Sequence, residues 1–108
     1  MDNTELAFSI IAEAGDARSS AMEAISSAQQ GDFEAAEKLL TACTDTLQKA
    51  HEIQTDMITK EMSGESVGPV GILMVHAQDH LMCAGMMRDI ADFLVSQSKR
   101  IDELEKKE

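Results

Sequence analysis

Two histidines and an aspartate stand close together in Val75-His76-Ala77-Gln78-Asp79-His80-Leu81. On a helix, residues three and four apart share a face, so His76, Asp79 and His80 become neighbours in space. An ordinary imidazole is largely neutral near pH 7 and has a free lone pair, which makes His76 a usable nucleophile. His76 and His80, at i and i+4, are also spaced to hold zinc. The helical metalloprotease pattern, however, needs Glu directly after the first His, and Ala77 stands there with no third strong ligand evident. Hydrolytic zinc chemistry is therefore disfavoured.

The setting sharpens the question. From Val70 to Met87 the only formally charged side chain is Asp79, while Ile72, Leu73, Met74, Leu81, Met82, Met86 and Met87 point in every direction. A helix apolar all round is expected to be buried. Asp79 in such a helix is costly unless something pairs with it. Ile72, Asp79, Met86 and Phe93 recur every seventh position, with His76, Cys83 and Ile90 interleaved, which is an a/d seam.

The elements that must position this cluster are helical, since Ala, Glu, Met, Leu and Gln dominate and there is one proline. Asn3 or Thr4 is placed to cap a first helix with apolar positions Ala7, Ile11, Ala14, Ala21, Ile25 and Ala28. Gly31 suits a left-handed helix end and Asp32 the next N-cap. The second helix carries a seam of Phe33, Ala36, Leu40, Cys43, Leu47, Ala50 and Met57, and fades around Lys60 to Met62. Ser63 to Pro69 is the one flexible segment of any size, with Pro69 expected in the first turn of a third helix that ends near Leu104. The fold class is all-α, one domain over 1–108, with three long antiparallel helices per subunit.

A slender three-helix rod with three Phe and no Trp or Tyr cannot satisfy both seams by itself. A symmetric oligomer built through the third helix is expected. Copies of Asp79 would then meet near the symmetry axis, where clustered carboxylates require protonation or a cation. Oxygen-only ligation suits Mg²⁺ or a similar hard ion.

Other polar residues have plainer roles. His51 reads as structural, or as lining a polar cleft with Gln54 and Thr55. Arg18 reads as a surface or paired arginine, and Gly15 and Gly85 as permitting close helix approach. The eight Met read as core filler. Cys43 and Cys83 form no CxxC pair and read as reduced small hydrophobes in a cytoplasmic protein. No apolar run is long enough to span a bilayer, and the acidic N-terminus is not a secretory signal. A net charge of −11 argues against nucleic acid or anionic lipid as partners and favours basic ones.

His76-Ala-Gln-Asp79-His80-Leu-Met82, preceded by Leu73-Met-Val75, closely resembles the active-site helix of the lactose/cellobiose (lactose/chitobiose) enzyme IIA proteins of the bacterial sugar phosphotransferase system. The resemblance extends to Gly15-Asp-Ala-Arg18-Ser19, Gln30-Gly-Asp-Phe33-Glu-Ala-Ala and Ala50-His51-Glu-Ile-Gln54-Thr55, and so covers nearly the whole chain. It implies a homotrimeric nine-helix bundle. It implies that His76 is phosphorylated at Nε2 by the phosphohistidine carrier protein HPr, and that the phosphoryl group passes to a cysteine of enzyme IIB. From there it reaches a disaccharide crossing the membrane through enzyme IIC. Asp79 matches the position whose three copies share one metal ion, usually Mg²⁺, on the trimer axis, and His80 an active-site neighbour.

Transfer also needs in-line geometry and donors for the equatorial phosphoryl oxygens. The candidates are His80, Gln78 and His51, the last from a neighbouring helix or subunit. Two features depart from the family pattern: Val67-Gly-Pro-Val-Gly71 is richer in Gly and Pro than expected, and Cys83 replaces a common Thr or small polar residue. Two other classes of function fit parts of the sequence. A helical interaction module is suggested by Gly31 to Ala36, although no 34-residue repeat recurs. A metal-storage or metal-sensing bundle would use His76, Asp79 and His80.

Overall fold

The computed structural model describes residues 2–107, which form three α-helices: α1 (Asn3–Gln29), α2 (Phe33–Met62) and α3 (Ile72–Lys106). Each runs antiparallel to the one before, so α1 and α3 are parallel. The subunit is a rod of 63 × 22 × 19 Å.

Local chemistry sets the ends of the helices. The first cap falls at Asp2 and not at the expected Asn3 or Thr4. Glu5, three residues on, completes a capping box: Asp2 Oδ1 accepts from the Glu5 N–H at 2.9 Å, and Glu5 Oε2 accepts from the Asp2 N–H at 3.3 Å. Asn3 is thereby free for another task. Its Nδ2 donates to the Val67 and Pro69 carbonyls at 2.6 and 3.1 Å, pinning the α2–α3 loop to the start of α1.

Gly31 takes φ +82° as the sequence predicts, and Asp32 Oδ1 accepts from the Ala35 N–H at 3.1 Å. Asp32→Ala should cost about 1 kcal/mol, read as a lower denaturation midpoint, because the first turn of α2 loses that acceptor. An unchanged midpoint would show that water replaces the carboxylate without loss.

The third helix begins later than expected. Pro69 lies outside it, and Gly71 stands at the N-cap without a side-chain bond. Gly68 at φ +81° and the two carbonyls held by Asn3 keep this segment out of helical geometry until Ile72.

The core is a ridge of small residues. α1 turns Ala7, Ile10, Ala14, Ala17, Ala21, Ala24 and Ala28 inward at spacings of three and four, so neighbouring helices approach closely. α2 contributes Ala36, Leu40, Cys43, Leu47 and Ala50, satisfying its expected seam within the subunit. α3 contributes Met74, Ala77, Leu81, Ala84, Ala91 and Val95. Burial pushes the Cys43 thiol up from its ordinary value, with nearby Arg88 pulling partly the other way, so this cysteine stays protonated and inert. Cys83, by contrast, is exposed.

α1 packs along both other helices, whereas α2 and α3 meet less extensively. Polar ties span the α2–α3 gap: Gln54 to Gln78 at 2.6 Å, Arg88 Nε to Thr44 Oγ1 at 2.9 Å, and Lys99 to Glu37.

The expectation that α3 is buried all round does not hold for the subunit. Ile72, Val75, Met82, Met86, Ile90 and Phe93 are exposed, Ile72 at 88%. Asp79 between them is exposed too, and among the described residues no polar or charged side chain is buried. The physical reason is geometric. Three helices cover only one flank of each other, so a helix apolar on all sides leaves its outer stripe uncovered.

Candidate functional site

Met74, Ala77, Leu81 and Ala84 face the core, and this anchoring turns the residues between them outward. His76 is exposed and His80 half-buried. Their Nε2 atoms lie 3.1 Å apart, with ring centroids 4.4 Å apart and planes at 81°. That is hydrogen-bond distance, and either ring can donate an Nε2–H to the other's Nε2 lone pair according to its tautomer. The i, i+4 pair of the sequence is therefore a directly coupled pair of imidazoles.

His80 borders a groove of about 330 Å³ between α1 and α3, whose lining includes Gly15, Arg18, Ser19 and Glu23. Gly15 carries no side chain into that space. Arg18 is exposed and, among the described residues, makes no ion pair. Arg18 is a surface arginine, as read from the sequence, and the structure adds its place on the groove beside His80. The signal available was its position in the Gly15 to Ser19 stretch, which carried part of the family resemblance.

Gln78 is not beside the histidines. Its Oε1 accepts from Gln54 Nε2 at 2.6 Å, and its Nε2 points to Met74 Sδ at 3.5 Å. A side chain two residues on from His76 leaves the helix on nearly the opposite side, so within the subunit Gln78 faces α2. Within one subunit Gln78 is therefore tied to Gln54 and lies apart from the imidazole pair. His51 also lies elsewhere, exposed on a wider groove of about 640 Å³ between α2 and α3, with Gln48, Leu81 and Arg88 among its neighbours. Asp79 shares the outward apolar stripe of α3, and no three His, Cys, Asp or Glu among the described residues gather to hold a metal within one subunit.

Two imidazoles in contact, one exposed and one half-buried, a cation on the adjoining groove and an outward apolar helix face make up this site. The family model described as "PTS system, Lactose/Cellobiose specific IIA subunit" matches residues 5–99. The chain belongs to that family.

Relatives of this IIA chain agree along its length. It is 39% identical over 97 residues to the "PTS system lactose-specific EIIA component" of Streptococcus mutans, covering 90% of this chain and 92% of that one. The crystal structure of the PTS cellobiose-specific enzyme IIA from Bacillus anthracis superposes with a TM-score of 0.89 at 33% identity, covering 95% and 94% of the two chains. The IIA(chitobiose) structure from the IIA–HPr complex of Escherichia coli matches at a TM-score of 0.79 and 31% identity, over 94% and 99%. The chain is thus a phosphotransferase-system IIA component of sugar transport, built as a three-helix bundle. Among the described residues, no helix is long and apolar enough to cross a membrane.

Proposed function

We propose that this IIA component is a phosphocarrier in which Nε2 of His76 receives a phosphoryl group from phosphorylated HPr and gives it to a cysteine of its enzyme IIB. The observation that carries the reading is the outward-facing His76 with His80 Nε2 at 3.1 Å, on a helix whose core side is firmly packed. The relative solved in complex with HPr supports the donor. The net charge of −11 suits a basic partner surface.

The step balances simply. The lone pair on His76 Nε2 attacks phosphorus, the P–N bond to the donor histidine breaks, and the electron pair returns to the donor ring. His76 keeps its proton on Nδ1, so no general base is needed. Before attack, His80 holds the acceptor ring in place, and its Nε2–H turns off the His76 lone pair as phosphorus approaches. After attack, its Nε2–H is within reach of a phosphoryl oxygen. Such positioned donors stabilise the charge spread over the moving group. Arg18 adds positive charge along the groove next to His80. Transfer onward to the IIB thiolate reverses the geometry, and from that cysteine the phosphoryl group reaches a β-linked disaccharide of the cellobiose, lactose or chitobiose type as it crosses the membrane through enzyme IIC. The IIA chain works in the cytoplasm, where HPr and the IIB domain meet it.

Mass spectrometry of the labelled protein under basic conditions, which preserve phosphohistidine, should place the phosphate on His76. Phosphate on another side chain, or on none, would overturn the assignment.

The outer stripe of α3 supports a homotrimer, with each copy of Ile72, Val75, Met82, Met86 and Phe93 covered by its neighbours. Asp79 then comes to the axis. A single carboxylate per chain fits a hard ion only when the copies converge, and one Mg²⁺ or similar ion per trimer would neutralise their repulsion without entering the transfer. Asp79→Leu should therefore leave the trimer intact, and more stable when the ion is withheld, as sedimentation equilibrium with and without EDTA would report. Dissociation of that variant would mean that the ion, and not apolar packing, holds the subunits together.

A further inference from the structure

The geometry of the imidazole pair points to a second occupant: we infer that His76 and His80 together chelate a zinc-class divalent cation, and that this ion and a phosphoryl group exclude each other. The metal site stands on geometry alone; its competition with phosphorylation rests on His76 being the acceptor.

Zinc binds imidazole nitrogen at about 2.0–2.1 Å, so two nitrogens on a tetrahedral ion lie about 3.3 Å apart. The two Nε2 atoms already stand at 3.1 Å, with the rings at 81° to one another. The separation is thus within a few tenths of an ångström of the chelate's, and closing it requires the two lone pairs to turn from one another onto a common ion. His76 is exposed and His80 half-buried, so water can complete the coordination sphere from outside. The chain's net charge of −11 concentrates cations around it, and Glu23 on the groove offsets Arg18 there.

Binding needs both Nε2 lone pairs, whereas the free pair shares one hydrogen between them. The donating ring therefore carries that hydrogen on Nδ1 instead, and two waters leave the ion as two metal–nitrogen bonds form. The His76 lone pair is then occupied and unable to attack phosphorus. Conversely, a phosphorylated His76 has no Nε2 lone pair to offer. Imidazole ligation selects zinc, copper and nickel over magnesium, which separates this site from an axial carboxylate site.

Calorimetric titration of the assembled, unphosphorylated protein with ZnCl₂ and with MgCl₂, followed by imidazole NMR, tests the inference. The expected result is one zinc per chain, with shifts at His76 and His80 and none of this response to Mg²⁺. His76→Gln and His80→Gln should each weaken zinc binding at least tenfold, roughly the lower bound for losing even an outer-shell group. Cys83→Ser and Asp79→Asn should retain it, since neither the thiol nor the carboxylate is a ligand. Protein already phosphorylated should bind no zinc at this position.

One zinc per three chains, lost in Asp79→Asn, would overturn the chelate, as would undiminished binding in either histidine variant. Equal zinc binding by phosphorylated and unphosphorylated protein would overturn the exclusion. Labelling of His76→Gln by phosphorylated HPr tests the acceptor separately, because a misplaced acceptor leaves the zinc titration of the unphosphorylated protein unchanged.

Discussion

A His76→Ala protein should accept no phosphate from phosphorylated HPr while keeping its helical content and its assembly. His76 is exposed, so its imidazole fills no core position and its removal opens no cavity. The effect falls on chemistry, because the substitution deletes the nitrogen that forms the new bond. His80→Ala should behave differently. It removes the partner 3.1 Å away but leaves the nucleophile, so labelling should slow by about 10²–10³-fold, the cost of one positioned donor, and still reach completion. Quench-flow labelling with radioactive phosphoenolpyruvate, the general phosphotransferase enzyme and HPr separates the two. A His76→Ala protein that still takes up label, beside an inert His80→Ala protein, would exchange the roles assigned to the two rings.

The second large effect belongs to the packing beneath the site. Leu81→Ala should destabilise the subunit by about 2–5 kcal/mol, the cost of emptying a fully enclosed leucine site. Leu81 is 0% exposed and is among the largest side chains fully enclosed by the bundle. The core side of α1 is almost all alanine, which has no spare reach to fill a void. That loss is a large share of the roughly 5–15 kcal/mol that holds a domain of this size folded. Urea unfolding would report it as a lower midpoint at unchanged slope, and labelling would fall only as far as the folded fraction does. A loss below about 1 kcal/mol would mean that the helices close over the gap. Met82→Ala, one residue on but 60% exposed, should act on assembly instead of on the fold.

Much of this was legible in the residues themselves. The break at Gly31 and the cap at Asp32 depend on one residue's tolerance of positive φ and another's short carboxylate, so they appear where the sequence places them. The α2 seam was readable for the same reason: Ala36, Leu40, Cys43, Leu47 and Ala50 lie inward because helical periodicity alone assigns them one face. The cap at Asp2 was readable too, through Glu5 three positions later, but Asn3 and Thr4 offered competing caps. What decided between them was the task that Asn3 performs against Val67 and Pro69, more than sixty residues away.

Heptad spacing and helix propensity were enough to settle three helices, and local spacing alone joined His76 to His80, because four residues make one turn whatever surrounds them. Which way α3 faces was not local. An almost wholly apolar helix carries no polar stripe to orient it, and only packing against α1 and α2 determined that Leu81 goes in while Asp79 and Met82 stay out. The same packing turned Gln78 toward Gln54 and brought Arg18 onto the groove beside His80, since contacts between helices depend on how three rods settle against each other and not on spacing within any one of them.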